Sequence, residues 1–443
     1  MMRAFLLVGA WSAVGASFSL AVDEPSTVPK PVPASRPELK TALEALKQRQ
    51  PRLPLPSPAD GVASLDKYLP ETWGRGGGLG YFPQIYASGA GKGAGPDGKL
   101  DSLLTDLSFW VVSRGNNCQY CLGHQELKLR VSGLNDDTIA ALDSDWNRFD
   151  SRQQATLTFA RKLTLEPHLV SDADIAKLKK ELSDQKVIEF AFTIAVFNSV
   201  NRWTDGLGLP QERDLRDDEG NTLTTPTSKQ FLETKSIVTA TVRTPRPPLA
   251  TPAEAQQAIA AGQTRAPRVA LPAKDAARRE LHDVIGDRDP YEWERALIQV
   301  PVNGKTHVKA WNAILSDNNL SPRLKAELTF ITSMNNQAWY AAAHAAHRLK
   351  QLGASPVDLT SLIGDQEPSQ GGAAAAYRLA AKSTTDPHLI TDADVANVRK
   401  HYSDAETAMI MQVICLANLF DRFTTALGLP LEKEIAAPAS STP

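Results

Sequence analysis

Cys118, Cys121 and His124 follow one another at intervals of three within a run that opens on Asn116 and Asn117, and they include two of the chain's three cysteines. On a helix this spacing leaves both sulfurs and the imidazole on one face. The two α-carbons then lie about 5 Å apart, within reach of a disulfide. The chemistry such a set supports is reversible thiol–disulfide exchange, in which a thiolate attacks and the second sulfur resolves the mixed disulfide. A helix N-terminus and a nearby imidazole favour the thiolate. Three other uses fit less well. A structural zinc site needs four ligands, and no second Cys/His cluster is adjacent. Haem attachment needs a histidine directly after the second cysteine, where Leu122 stands. An inert disulfide closing so short a loop removes little unfolded-state entropy. Spacing does not say which cysteine attacks first.

The elements that must hold these residues are helical. From residue 100 onward, apolar positions recur at intervals of three and four with few alternating runs. Leu103, Leu104, Leu107, Trp110 and Val111 form one stripe ending at Gly115, and Asn117 is placed to cap the next helix, with Cys118 in its first turn. Amphipathic helices are expected over residues 152–163 and 173–182. The most apolar one covers 187–203, whose 14-residue uncharged-looking core still contains Glu189 and Asn198, and so reads as a buried helix rather than a membrane span.

An internal repeat organises the chain. EPHLVSDAD at 166–174 returns as DPHLITDAD at 386–394, and the same displacement of 220 carries Asn198 onto Asn418, Arg202 onto Arg422 and LGLP at 207–210 onto 427–430. Asp106 is echoed by Glu327, and Asn116–Asn117 by Asn335–Asn336, which sets Gln337 and Tyr340 at the cysteine positions of the second copy. That copy therefore has no dithiol. It is expected to be a packing partner, and the second reading is a cysteine-free acid–base site built from Glu327, His344 and His347. Ser171 with Asp174 and Thr391 with Asp394 read as helix-entry caps, His168 and His388 as turn contacts, Arg202 and Arg422 as partners of carboxylates within each bundle, and Cys415 as a buried small apolar residue.

The remaining segments divide the chain further. Residues 1–21, with Arg3 followed by an apolar run and small residues near Ala21, read as a signal peptide, so the protein is expected to be exported to the periplasm or exterior. Residues 22–66 are a proline-rich tether and 437–443 a tail. A glycine-rich stretch at 93–99 looks like a phosphate loop, but Leu100 occupies the place of the metal-binding hydroxyl, so it reads as a loop. Residues 216–290 read as a Pro/Thr/Ala-rich linker with a short helix over 253–261. A length of 443 residues with 42% hydrophobic composition suits two cores, and a net charge of −2 with well-mixed signs carries no footprint of nucleic acid or an anionic membrane.

The Cys-x-Tyr-Cys sequence closely followed by histidine, with an acid twelve residues before the first cysteine in an all-helical frame, resembles the carboxymuconolactone decarboxylase superfamily, in particular its alkylhydroperoxidase D (AhpD-like) branch. The resemblance covers residues 67–215, and the repeat extends it over 291–436. It implies an all-α fold of two tandem AhpD-like domains. It also implies a thiol-dependent peroxidase or thiol–disulfide oxidoreductase in which Cys118 and Cys121 are the redox dithiol and His124 and Asp106 move protons. Asp106 stands where the family usually has Glu, and His124 follows the second cysteine by three rather than four. The implied partners are a peroxide or disulfide substrate and an external thiol donor, with no metal or organic cofactor. Family members commonly form homo-oligomeric rings. A cofactor-free decarboxylase and a non-catalytic envelope-binding protein are the alternatives.

Overall fold

The computed structural model describes residues 38, 41–42, 45–55, 65–73, 100–210, 214–216, 222–224, 250–301, 303–362 and 371–436. The expected signal peptide, the glycine-rich loop at 93–99 and the tail at 437–443 lie outside the described residues. The first copy is built of α1 (Ser102–Asn116), α2 (Gln119–Val131), α3 (Asp136–Ser144), α4 (Ser151–Leu165), α5 (Asp172–Lys179) and α6 (Asp184–Leu207). Two three-residue strands, Asp214–Arg216 and Thr222–Thr224, pair antiparallel. Four helices follow: α7 (Pro252–Gly262), α8 (Lys274–Ile285), α9 (Glu292–Leu297) and α10 (Gly304–Ser316). The second copy then repeats the first as α11 (Pro322–Asn336), α12 (Trp339–Gln351), α13 (Pro356–Ser361), α14 (Gly372–Thr385), α15 (Asp392–Arg399) and α16 (Asp404–Leu427), before a last turn, α17 (Lys433–Ala436). The protein is all-α.

The caps explain several of the boundaries. Ser171 with Asp174 and Thr391 with Asp394 form capping boxes at the starts of α5 and α15, as the repeat implied. Lys162 and Lys382 each reach the same aspartates at 2.6 Å, so the turn is built identically twice. The helices α6 and α16 end on Gly208 and Gly428, both left-handed (φ 63° and 58°), a conformation that glycine adopts without strain.

The two copies do not form separate domains. Helices α6 and α16 pack on each other more extensively than any other pair, and one hydrophobic core runs through both copies, with Phe190, Phe192 and Trp203 from one and Ile414, Phe420 and Phe423 from the other. Both helices are apolar nearly all round, so neither can expose a face without losing burial. Arg202 and Arg422, expected to serve their own bundles, reach across. Arg202 Nη2 donates to the Thr384 carbonyl (3.1 Å) and Arg422 Nη2 to the Thr164 carbonyl (3.3 Å). Helix α16 is long and apolar enough to cross a membrane by composition, but 94% of its most apolar window is buried in the protein.

Of the expected tether and linker, the described parts at 45–55 and 250–290 pack on the folded body. Leu53 and Leu65 are buried in the core, as are Val269, Ala277 and Leu281. Arg52 caps the end of α6, its backbone N–H donating to Leu207 O (2.9 Å) and its guanidinium to the carbonyls of Asp205, Gly206 and, across the molecule, Ile390. Arg268 does the same for α16, with Leu427, Thr425, Ala426 and, across the molecule, Val170. A cation over the unsatisfied carbonyls of a helix C-terminus is favourable on both hydrogen-bond and dipole grounds. Arg52 and Arg268 are displaced by 216 rather than 220, which hides them from a search for a constant period.

Candidate functional site

The cysteine turn is made by a tight α1–α2 corner. Asn117, expected to cap α2, instead closes α1 in the left-handed conformation (φ 60°, ψ 26°), which asparagine tolerates better than most residues. Cys118 takes over as N-cap of α2, its sulfur accepting from the Cys121 N–H at 3.4 Å. Both thiols are buried and free. A single hydroxyl spans them: Thr204 Oγ1, near the end of α6, lies 3.1 Å from Cys118 Sγ and 3.4 Å from Cys121 Sγ.

The corner is held from behind by a buried amide network. Asn116 Nδ2 donates to Asn198 Oδ1 and Asn201 Oδ1, both at 3.0 Å, and Asn198 Nδ2 donates to Thr164 Oγ1. In the second copy Asn336 Nδ2 donates to Asn418 Oδ1 (3.0 Å) and Asp421 Oδ2 (2.8 Å), and Asn418 to Thr384 Oγ1. These pairs fix the displacement at 220 throughout and correct the register drawn from the two Asn pairs. Ala338 and Ala341, not Gln337 and Tyr340, occupy the cysteine positions, Tyr340 matches Tyr120, and His344 matches His124. Asp106 is matched by Ala326, because Glu327 lies one residue, or about 100° of helix, further on.

Electrostatics at the sulfurs runs against the expectation of a lowered thiol pKa. Burial pushes the Cys118 thiol well above its ordinary range, reinforced by Cys121 and the charge of Asp205, against a lowering effect of the Thr204 hydroxyl. The helix N-terminus is present, but desolvation of the thiolate outweighs it. Asp205 follows Thr204 on α6. Although part of the residue reaches the surface, Oδ2 is buried and makes no hydrogen bond among the described residues. Burial raises its carboxyl to about 7, opposed by Arg49, Cys118, Arg52 and Arg202.

The remaining sequence candidates fall in different places. His124 is one turn beyond Cys121, with Nδ1 2.8 Å from the Tyr120 carbonyl and its ring tilted against Tyr120. The carbonyl can only accept, so Nδ1 carries the proton and Nε2 is the basic nitrogen. Asp106 is half-buried in the second turn of α1. In the second copy the three candidates do not converge. Glu327 receives Arg323 Nε (2.9 Å) and the Tyr377 hydroxyl (2.6 Å), His347 pairs with Gln351 (2.9 Å), and His344 Nε2 lies 2.9 Å from Glu432 Oε2. Glu432 also accepts from the Tyr340 hydroxyl and the Glu292 N–H, each at 2.7 Å. Burial pushes this carboxyl up, but His344, Tyr340 and the Glu292 amide together hold it below the usual range. Among the described residues, no buried polar atom of Glu432, Tyr340 or His344 in this network lacks a hydrogen bond. Beside it, a cavity of about 370 Å³ is lined by His168, Gln337, Trp339, Tyr340, Thr424 and Arg265, among others.

Thr204, Asp205 and Glu432 were not singled out by sequence. Thr204 carried a signal, since it recurs as Thr424. Asp205 carried the opposite one, since its counterpart is Thr425. Among the described residues no group of three or more His, Cys, Asp and Glu side chains is arranged to hold a metal ion. No protein-family model matches the chain, and no curated protein matches it.

Proposed function

We propose that the protein is a thiol-dependent peroxidase or thiol–disulfide oxidoreductase of AhpD-like type, with Cys118 and Cys121 cycling between dithiol and disulfide. The observation that carries this reading is the pair of buried thiols one helical turn apart, both in contact with the Thr204 hydroxyl. A peroxide, ROOH, is attacked by one sulfur. An S–O bond forms, the O–O bond breaks and ROH leaves; the second sulfur then displaces water to form the disulfide. Two thiol hydrogens and two electrons pass to the peroxide, and an external dithiol restores the pair by exchange. A disulfide substrate is reduced by the same two electrons. On this reading His124 and Asp106 pass protons between the site and solvent, and the second copy supplies the packing that completes the first.

The test is hydroperoxide consumption with a dithiol donor, alongside thiol titration, on wild type, Cys118→Ser and Cys121→Ser. Each variant is expected to lose at least about a thousandfold in turnover, because nucleophile and resolving group act as one unit. Turnover that persists in either variant removes the redox mechanism. Wild-type thiols that fail to oxidise and recover favour the binding-protein reading.

A further inference from the structure

Cys118 has a difficulty that the dithiol alone does not solve. Its thiol is fully buried, and the ionised sulfur is disfavoured there, so a reaction at neutral pH needs a group to take the proton as the sulfur attacks. We propose that Asp205 is that proton acceptor, its carboxylate taking the hydrogen of the Cys118 thiol while the sulfur electron pair moves to the peroxide oxygen or disulfide sulfur. This rests on the dithiol reading above and adds a residue to it.

Three observations carry the assignment. Asp205 is adjacent in sequence to Thr204, whose hydroxyl meets both sulfurs, and its carboxyl and the Cys118 thiol are close enough to act on each other electrostatically. Its Oδ2 is buried and makes no hydrogen bond among the described residues, an arrangement that leaves an acceptor open and is costly without a use. The internal repeat separates chemistry from framework. Thr204, Tyr120, His124, Asn198 and Arg202 all recur in the half that has no dithiol, as Thr424, Tyr340, His344, Asn418 and Arg422, whereas Asp205 is replaced by Thr425 where the cysteines are replaced by Ala338 and Ala341.

The groups acting on the carboxyl are Arg49 and Arg52 from the N-terminal arm, Arg202 on α6, and Cys118 at the N-cap of α2. The three arginines limit the upward push of burial and leave the carboxyl titrating at about 7, where an acceptor is most effective near neutral pH. Below that point Asp205 is protonated and cannot accept. Above it the acceptor is available. In the peroxide reaction the proton count closes when the departing oxygen takes up the hydrogen released by the thiol, either from Asp205 or from water in exchange with it.

The experiment follows alkylation of reduced, full-length protein by iodoacetamide from pH 5 to 10, with Cys118 quantified by peptide mass spectrometry, for wild type, Asp205→Thr, Asp205→Asn and Asp205→Glu. Wild type is expected to gain reactivity through a step near pH 7. Asp205→Thr, the residue the second half uses, and the near-isosteric Asp205→Asn are both expected to lose that step and at least tenfold in rate at pH 8, and Asp205→Glu to recover part of it. Either neutral variant reacting as fast as wild type, or faster, would overturn the proposal. Acceleration is what results if Asp205 only repels the thiolate. Thermal unfolding of both neutral variants within a few degrees of wild type shows that the loss is not misfolding; should one misfold, the other decides. Peroxide turnover is scored separately. A pH step without reversible oxidation removes the redox reading and keeps the proton acceptor, while oxidation with an unchanged step does the reverse.

Discussion

The two halves share one framework and differ in one corner. Each has an α1-type helix ending on a left-handed residue, an asparagine network behind the turn and a long buried helix capped by an arginine from an arm. Within it the first half places two thiols, a threonine hydroxyl and a carboxyl. The second places two alanines, the same hydroxyl, a second threonine and a cavity. Since the alanine half folds into the same corner, the sulfurs are not needed to build it. The residues common to both halves suffice for the frame, and what the first half adds to it is the two thiols and the Asp205 carboxyl.

The sharpest way to break the comparison is to cut what joins the halves. Arg202→Leu or Arg422→Leu removes a buried guanidinium whose hydrogen bonds tie one half to helical carbonyls of the other, and each is expected to cost about 3 kcal/mol, read as a lower urea midpoint with one cooperative transition. Two separated transitions would mean that the halves are independent domains after all.

A smaller effect distinguishes the two hydroxyls. Thr204→Val removes the group that spans both sulfurs and lowers the Cys118 pKa, so alkylation of Cys118 at pH 8 is expected to slow about tenfold, an effect of ~1.4 kcal/mol. Thr424→Val is expected to leave that rate unchanged. Equal effects from both would place the threonines in the framework alone.

The smallest concerns Asp421, which stands where the first half has Asn201. Burial raises its carboxyl to about 7, against Asn336, Ser333 and two arginines. A carboxyl raised in the fold from an unfolded value of about 4 contributes stability that is fully present below pH ~4 and is lost as pH rises through about 7. Asp421→Asn, recreating the amide network of the first half, is expected to gain ~1 kcal/mol at pH 8 and nothing at pH 4, measured by urea denaturation at both. A loss at pH 8 would show that the charged form is the one the network stabilises.

Legibility followed the range of the interaction. Helices, caps and the repeat were readable because periodicity and capping act over three or four residues; α4, α5, α6 and α7 lie where the pattern put them, and Cys415 is buried in α16. The docking of the described segments at 45–55 and 250–290 was not legible, because proline-rich composition suggests a tether while the feature that docks them, an arginine over a helix end, has partners more than 150 residues away. The one-residue error in the second copy came from matching two asparagine pairs whose local letters agree but whose buried partners do not.

By itself the sequence determined that the chain is helical, that it is duplicated, and that only the first copy holds Cys118 and Cys121 one turn apart. Only the tertiary structure decided that the copies share one core, that Cys118 caps its helix from a buried position, and that Thr204 and Asp205 stand beside the sulfurs. The reason is physical. Turn-level geometry is set by neighbours in the chain, whereas desolvation and hydrogen bonding at a thiol depend on whichever helix is packed against it, here one more than eighty residues further along.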